Sequence, residues 1–138
     1  ANRCQRLGRG FDSLDPLQYV ELKKMKELFK KKCVPCEGGV ASLDISEIHK
    51  YQKKVDGWDV IKNQKKIYFL EKKFKFKNFL MSQAFINKVS EISENENHHP
   101  DILFGWGYAK ISITTHAIEG LSENDFILAS KIDQIINV

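Results

Sequence analysis

Long apolar runs are what this 138-residue chain most plainly lacks: no stretch approaches the roughly 20 consecutive apolar residues that a bilayer-spanning helix needs. No apolar core followed by small residues stands near its start, so neither a membrane span nor a secretory signal is expected. Cysteine is scarce and odd in number. Three thiols cannot complete a disulfide framework, which fits a reducing, cytoplasmic setting. Low-complexity tracts and internal repeats are missing as well. The net charge of +4 comes from lysines spread along the chain, too mild a balance to argue for direct nucleic-acid binding.

What is present is an ordinary globular composition, 42% hydrophobic and 29% charged. The length suits one domain that buries roughly two-thirds of its unfolded surface, with no room for a second. The first ten residues, ANRCQRLGRG, hold three arginines and no acid. They read as a targeting remnant, an expression scar or an unstructured tail.

Local signals divide the chain. Asp15-Pro16 can open a helix, and Leu17, Val20, Met25, Leu28 and Phe29 recur at near-helical spacing among lysines, predicting a basic amphipathic helix over 16–32 with a packed apolar stripe. Cys33-Val34-Pro35-Cys36-Glu37-Gly38-Gly39 breaks that period and marks the boundary between an N-terminal extension, 1–32, and the main domain, 33–138. Its Cys-x-x-Cys supplies only two of the four ligands of a structural zinc site, so no metal is expected there. A helix over 42–53 follows, capped by Ser42 or Asp44, with His49 on its surface. Residues 58–61 and 67–76 then read as a hairpin around Lys62-Asn63-Gln64-Lys65, and 78–93 as a helix with Phe79, Ala84 or Phe85, Val89 and Ile92 in a stripe.

A second hairpin is predicted from 101–106 and 109–116 around Gly107-Tyr108, because glycine at the first central position suits a type II′ turn. Ser122 can cap a last helix over 123–136 bearing Phe126, Ala129, Ile132 and Ile136 on one face. Strand pairs separated by a helix imply an α+β fold: a four-stranded antiparallel sheet covered on one face by helices, a two-layer sandwich with an extra N-terminal helix.

Three of the four histidines gather between two acids: Glu94-x-x-x-His98-His99-Pro100, then His116 and Asp125. A turn at Gly107-Tyr108 pairs residues summing to 215. Ile102, Phe104 and Trp106 then share an apolar face with Ala109, Ile111 and Ile113. Extended to the strand ends, the same register sets His99 opposite His116, Cβ atoms roughly 4.5–5.5 Å apart. Pro100 is tolerated at the strand entrance, where it need not donate to the ladder. Glu94 is near enough to orient an imidazole, Asp125 could return to the same place, and His98 leaves the helix in a direction the register does not fix. Such a cluster could bind a metal, transfer protons between imidazoles in different protonation states, or fill a sheet end with polar groups.

With Trp106 added, this pattern resembles the signature of the pterin-4a-carbinolamine dehydratases. The likeness extends to Gly57-Trp58, Phe74-Lys75-Phe76-Lys77-Asn78-Phe79, Thr115-His116 and Gly120-Leu121-Ser122-x-x-Asp125, and to the Cys-x-x-Cys-x-Gly-Gly stretch at Cys33. It implies dehydration of a 4a-hydroxytetrahydropterin to a quinonoid dihydropterin in pterin recycling, by histidine acid-base chemistry and without metal or cofactor. By position, His98 and His116 would be the proton-transfer pair, His99 a pterin-binding imidazole, and Glu94 and Asp125 their supporting carboxylates, with capping the alternative role for Asp125. Trp58 and Trp106 are read as packing residues. The resemblance further implies a homodimer or homotetramer, and a transcription-factor partner is the rival function, since some members of the family serve as dimerisation cofactors of a homeodomain protein. It adds a nuclear location to the cytoplasmic one as an open alternative.

Overall fold

A computed structural model describes residues 15–34 and 41–136, with the side chains of 21–26 left aside. The basic start of the chain and residues 35–39 of the predicted boundary loop lie outside the described residues. In chain order the elements are α1 (Pro16–Lys30), α2 (Ile45–Gln52), β1 (Asp59–Lys62), β2 (Tyr68–Lys75), α3 (Phe79–Glu96), β3 (Asp101–Gly105), β4 (Tyr108–Ile113), a single 3₁₀ turn (His116–Ile118) and α4 (Glu123–Ile136).

The helices begin where side chains can satisfy their first free N–H groups. Asp15 and Gln18 form a reciprocal capping box on α1, Asp44 and Glu47 form another on α2, and the Asn78 side chain accepts from Met81 N at the start of α3. His49 lies exposed on α2, as its polar neighbours imply. The four strands form one antiparallel sheet in the order β1-β2-β4-β3, and helices cover one of its faces. Helix α3 lies on β3 and β4, and α4 packs beside α3 and against α1 and α2. The core joins Leu70, Phe74, Ala109, Ile111 and Ile113 of the sheet to Phe85 and Val89 of α3 and to Phe126, Ile127, Leu128, Ala129 and Ile132 of α4. Helix α4 is apolar on most of its circumference because it has neighbours on several sides.

Among the described side chains of α1 the expected packed stripe is present at the C-terminal end, and Met25 lies outside them. Leu28 is buried in the common core and Phe29 half-buried, whereas Leu17, Tyr19 and Val20 are exposed. At the other end of the sheet Trp58 is buried, its indole N–H donating to Asp133 at 3.0 Å. Asp133 also accepts from Lys72 at 2.8 Å and from the Asp56 amide at 3.3 Å, so this carboxylate ties the approach to β1 to α4.

The second hairpin departs from its predicted register. Gly105 pairs with Tyr108, and the turn residues are Trp106 and Gly107. Glycine is needed at the second central position, where φ is +76°, and not at the first. Two contacts fix this choice. The Tyr108 ring lies across Gly105 so closely that a Cβ there would stand 2.8 Å from it, and the Gly107 carbonyl accepts from Phe76 N at the end of β2. Paired positions therefore sum to 213. A shift of two keeps every side chain on its predicted face, so Ala109, Ile111 and Ile113 are buried as expected. Trp106, by contrast, sits at the hairpin tip and is 72% exposed rather than packed.

Candidate active site

The register change removes the predicted cross-strand pair of His99 and His116. Strand β3 begins at Asp101 and β4 ends at Ile113, so neither histidine belongs to the ladder. The two are carried instead by the structures that terminate α3 and β4. Asn97 follows α3 in the left-handed region at φ +51°, its N–H donating to Glu94 O, while His98 N donates to Ser93 O. This paired bonding is a Schellman closure, in which asparagine tolerates the left-handed conformation that glycine more often supplies. It fixes the exit direction of His98, which the strand register left open.

After β4 the chain makes a small closed loop. Thr115 N donates to Gly120 O at 2.9 Å, Gly120 N returns the bond to Thr115 O, and His116 opens the 3₁₀ turn between them. Gly120 must be glycine because a Cβ there would lie 2.7 Å from that of Ser42. His116 thus stands exposed on a rigid loop, not on a strand.

Asp125 is the buried anchor. Its carboxylate is wholly inaccessible, and Oδ2 accepts from Ser122 N at 2.8 Å and from Thr115 Oγ1 at 2.8 Å. The Ser122 bond is the back-reaching half of a capping box for α4. Oδ1 meets His98 Nε2 at 2.7 Å, and the His98 side chain is only 13% exposed. One carboxylate therefore caps a helix, holds the loop that carries His116, and grips an imidazole. His99 Nε2 meets Glu94 Oε1 at the same 2.7 Å, but both side chains are mostly in solvent, at 55% and 77% exposure.

His98, His99 and His116 line one open cavity of about 440 Å³, walled also by Lys32, Cys33, Val34, residues 95–97, Thr114, Thr115, Ala117 and Asn124. That volume lies in the usual range for small-molecule sites. Cys33, read from sequence as part of a boundary loop and of the family-like Cys-x-x-Cys stretch, and Asn124, which no spacing marked, belong to the wall. Burial, with help from the nearby Glu96 carboxylate, pushes the Cys33 thiol up to about 12, so it stays protonated at neutral pH and is no nucleophile. Glu96 is part of this wall. Burial is the largest single influence on it and pushes its carboxyl up, but the Lys131 ammonium at 2.8 Å and the Cys33 N–H together outweigh that and hold it below its ordinary value. Among the described residues no three His, Cys, Asp or Glu side chains converge as ligands for a metal ion.

The family described as pterin 4 alpha carbinolamine dehydratase matches residues 41–135, which hold the sheet, α3, α4 but for its last residue, and all three cavity histidines. The chain belongs to that family. It is 44% identical over 111 residues to a provisionally named pterin-4-alpha-carbinolamine dehydratase of Rubrobacter xylanophilus, an alignment covering 80% of this chain and 100% of the relative. It is 48% identical over 108 residues to a similarly named protein of Halorhodospira halophila, covering 78% of this chain and 96% of that one. The crystal structure of a transcriptional coactivator/pterin dehydratase from Brucella melitensis shares the fold, with a TM-score of 0.62 at 26% identity over 68% of this chain and 97% of that one. Family membership implies a pterin substrate. Among the described residues no helix is long and apolar enough to cross a membrane.

Proposed function

We propose that the cavity dehydrates a 4a-hydroxytetrahydropterin to a quinonoid dihydropterin and water, as a step in tetrahydropterin recycling, with His98 as general base and His116 as general acid. The observation that carries this reading is the buried Asp125–His98 bond beside a second, exposed imidazole in the same cavity. An ionised Asp125 accepts from Nε2, so the proton of a neutral His98 resides there and Nδ1 keeps its lone pair. Nδ1 is then the acceptor for the N5 proton of the substrate. His116 gives a proton to the 4a-hydroxyl, the C4a–O bond breaks with loss of water, and the N5–H electron pair forms the C4a=N5 double bond. Exchange with solvent through the open cavity returns both imidazoles to their starting states. His99, oriented by Glu94 at the rim, binds the pterin ring.

The test is the decay of freshly generated 4a-hydroxytetrahydropterin followed optically with wild type, His98→Ala and His116→Ala. General acid-base groups contribute typically about 10²–10⁴-fold each, and losses of that order are expected in both variants. No acceleration by wild type over buffer, or variants equal to wild type, removes the assignment.

A second reading, a dimerisation cofactor or coactivator acting with or without the dehydratase activity, is favoured by the likeness to the Brucella coactivator/dehydratase and by apolar side chains left in solvent at Leu80, Leu103 and Trp106. Assembly into a homodimer or homotetramer would use the same kind of surface. Recovery of a transcription factor by the chain regardless of the histidine substitutions supports the binder. Sedimentation equilibrium measures the assembly.

A further inference from the structure

Three segments and Asn124 of α4 enclose the histidine cavity, and one of the segments precedes the region the family matches. Residues 95–99 come from the end of α3 and residues 114–117 from the loop after β4. Lys32, Cys33 and Val34 come from the strap that leaves α1. This strap is not held by apolar packing alone. Cys33 N donates to Glu96 Oε2 at 2.8 Å, and Glu96 is itself fixed by Lys131 at 2.8 Å. Val34 is gripped at both backbone groups by one side chain: its N–H donates to Asn124 Oδ1 at 3.0 Å and its carbonyl accepts from Asn124 Nδ2 at 2.5 Å. Asn124 thus pairs with the strap much as a neighbouring strand would. Lys31 and Glu123 add an exposed ion pair at 2.6 Å.

The latching residues stand beside the residues that hold the imidazoles. Glu96 is two positions before His98, and Asn124 immediately precedes Asp125. The strap is therefore set against the same helix ends that fix His98, and its distance from the histidines is determined by two polar latches.

We propose that Lys32–Val34 form a substrate-enclosing wall of the pterin cavity, and that Glu96 and Asn124 are positioning residues that hold this wall at the width of the pterin ring. The proposal rests on the dehydratase reading of the cavity and adds to it the residues that set substrate affinity. The chemistry of the wall suits the role. A thiol that stays protonated is a compact, unreactive surface beside an electrophilic quinonoid product, and the Cys33 N–H and both backbone groups of Val34 are already paired, so these three do not compete for the pterin's own donors and acceptors.

The test uses the full chain and two readouts. Loss of a wall removes binding common to ground and transition states, which raises KM and leaves kcat nearly unchanged. Asn124→Ala should raise KM about tenfold with kcat within about threefold of wild type, and Glu96→Gln, which keeps an acceptor for Cys33 N–H, about threefold. Hydrogen exchange of the 32–34 amides, read by mass spectrometry, should slow in wild type when a stable 7,8-dihydropterin is added, and should be fast and insensitive to it in Asn124→Ala. If Asn124→Ala does not fold, Glu96→Gln and the wild-type exchange carry the test. Unchanged exchange at 32–34 in an enzyme that dehydrates the pterin overturns the wall while leaving the dehydratase reading intact, as does a fall in kcat at fixed KM. Dihydropterin protection without dehydration supports the wall and removes the dehydratase reading instead.

Discussion

Asp125→Asn is the sharpest perturbation available, because the substitution is nearly isosteric and its consequences follow from the hydrogen bonds the carboxylate makes. Asp125 Oδ2 accepts from the Ser122 amide and the Thr115 hydroxyl, and Oδ1 meets His98 Nε2. An asparagine has one oxygen and one NH₂ to distribute over these places. Turning the NH₂ toward Ser122 would set two donors against each other in a buried site, at a cost of about 1–3 kcal/mol for the unsatisfied amide. The Ser122 N–H cannot become an acceptor, whereas an imidazole can change tautomer. The NH₂ should therefore face His98, forcing Nε2 to accept and moving the ring proton to Nδ1. The nitrogen proposed to take the N5 proton would then already carry one.

The magnitude has a ceiling. The variant cannot lose more than His98 contributes, so kcat should fall by about 10²–10⁴, equivalent to about 2.7–5.4 kcal/mol of barrier. The wrong-tautomer penalty known for an imidazole deprived of its carboxylate in Ser-His-Asp sites, about 10⁴, lies at the top of that range. KM should change little. Stopped-flow decay of the 4a-hydroxytetrahydropterin measures kcat, and ¹⁵N shifts of the histidine rings report the tautomer. A kcat within threefold of wild type alongside a switched His98 tautomer would refute His98 as the base. An unswitched tautomer would refute the argument from Ser122.

Four further outcomes are expected. Glu94→Gln, which perturbs an exposed pair, should change stability by less than about 0.5 kcal/mol, and should raise KM more than it lowers kcat in the steady-state assay. Glu96 titrates below its ordinary value of 4.5 in the folded chain, so the stability it contributes is fully present above the unfolded value and is lost as pH falls through the folded one. Urea unfolding at pH 6 and at pH 3.5 should accordingly show a smaller acid-induced loss in Glu96→Gln than in wild type. Cys33, pushed from 9.0 to about 12, has a thiolate fraction about a thousandfold below that of an unperturbed thiol at pH 7. Iodoacetamide labelling resolved by peptide should be slower there by a similar factor than in the urea-unfolded chain. Trp58→Phe removes the indole donor from buried Asp133 and should cost about 1–3 kcal/mol in the same unfolding measurement.

The sheet and helices were legible because their determinants are local. Aspartate and asparagine caps sit within three residues of the amides they satisfy, and alternation of apolar and polar residues survives an even change of register, so the faces of β3 and β4 came out right from a wrong turn. The site was legible as a set of residues but not as a geometry. Pairing His99 with His116 extrapolated a ladder beyond its ends, and no spacing rule marks where a strand gives way to a 3₁₀ turn stabilised by a Thr115–Gly120 bridge. The placement of the strap against the cavity was invisible for a similar reason. Cys33 and Val34 lie about 90 positions from Asn124, and a proline and two glycines nearby argue only for a loop.

Asp125 shows why the modest and the functional readings of a residue need not compete. At the third position of α4 a carboxylate naturally reaches back to the Ser122 amide, which is reason enough for an acid there. That bond occupies Oδ2 and aims the second oxygen away from the helix, toward the end of α3 where a Schellman closure delivers His98. The cap thus provides the rigidity that an imidazole partner requires, at no further cost in ordered side chains. A glutamate at 125 would be one methylene longer, and if it preserved the cap it could not leave its outer oxygen at 2.7 Å from an unmoved His98. Helix stability and the His98 bond are separable on this account: Asp125→Glu should keep the fold of α4, read by circular dichroism, while losing most of the activity that depends on His98.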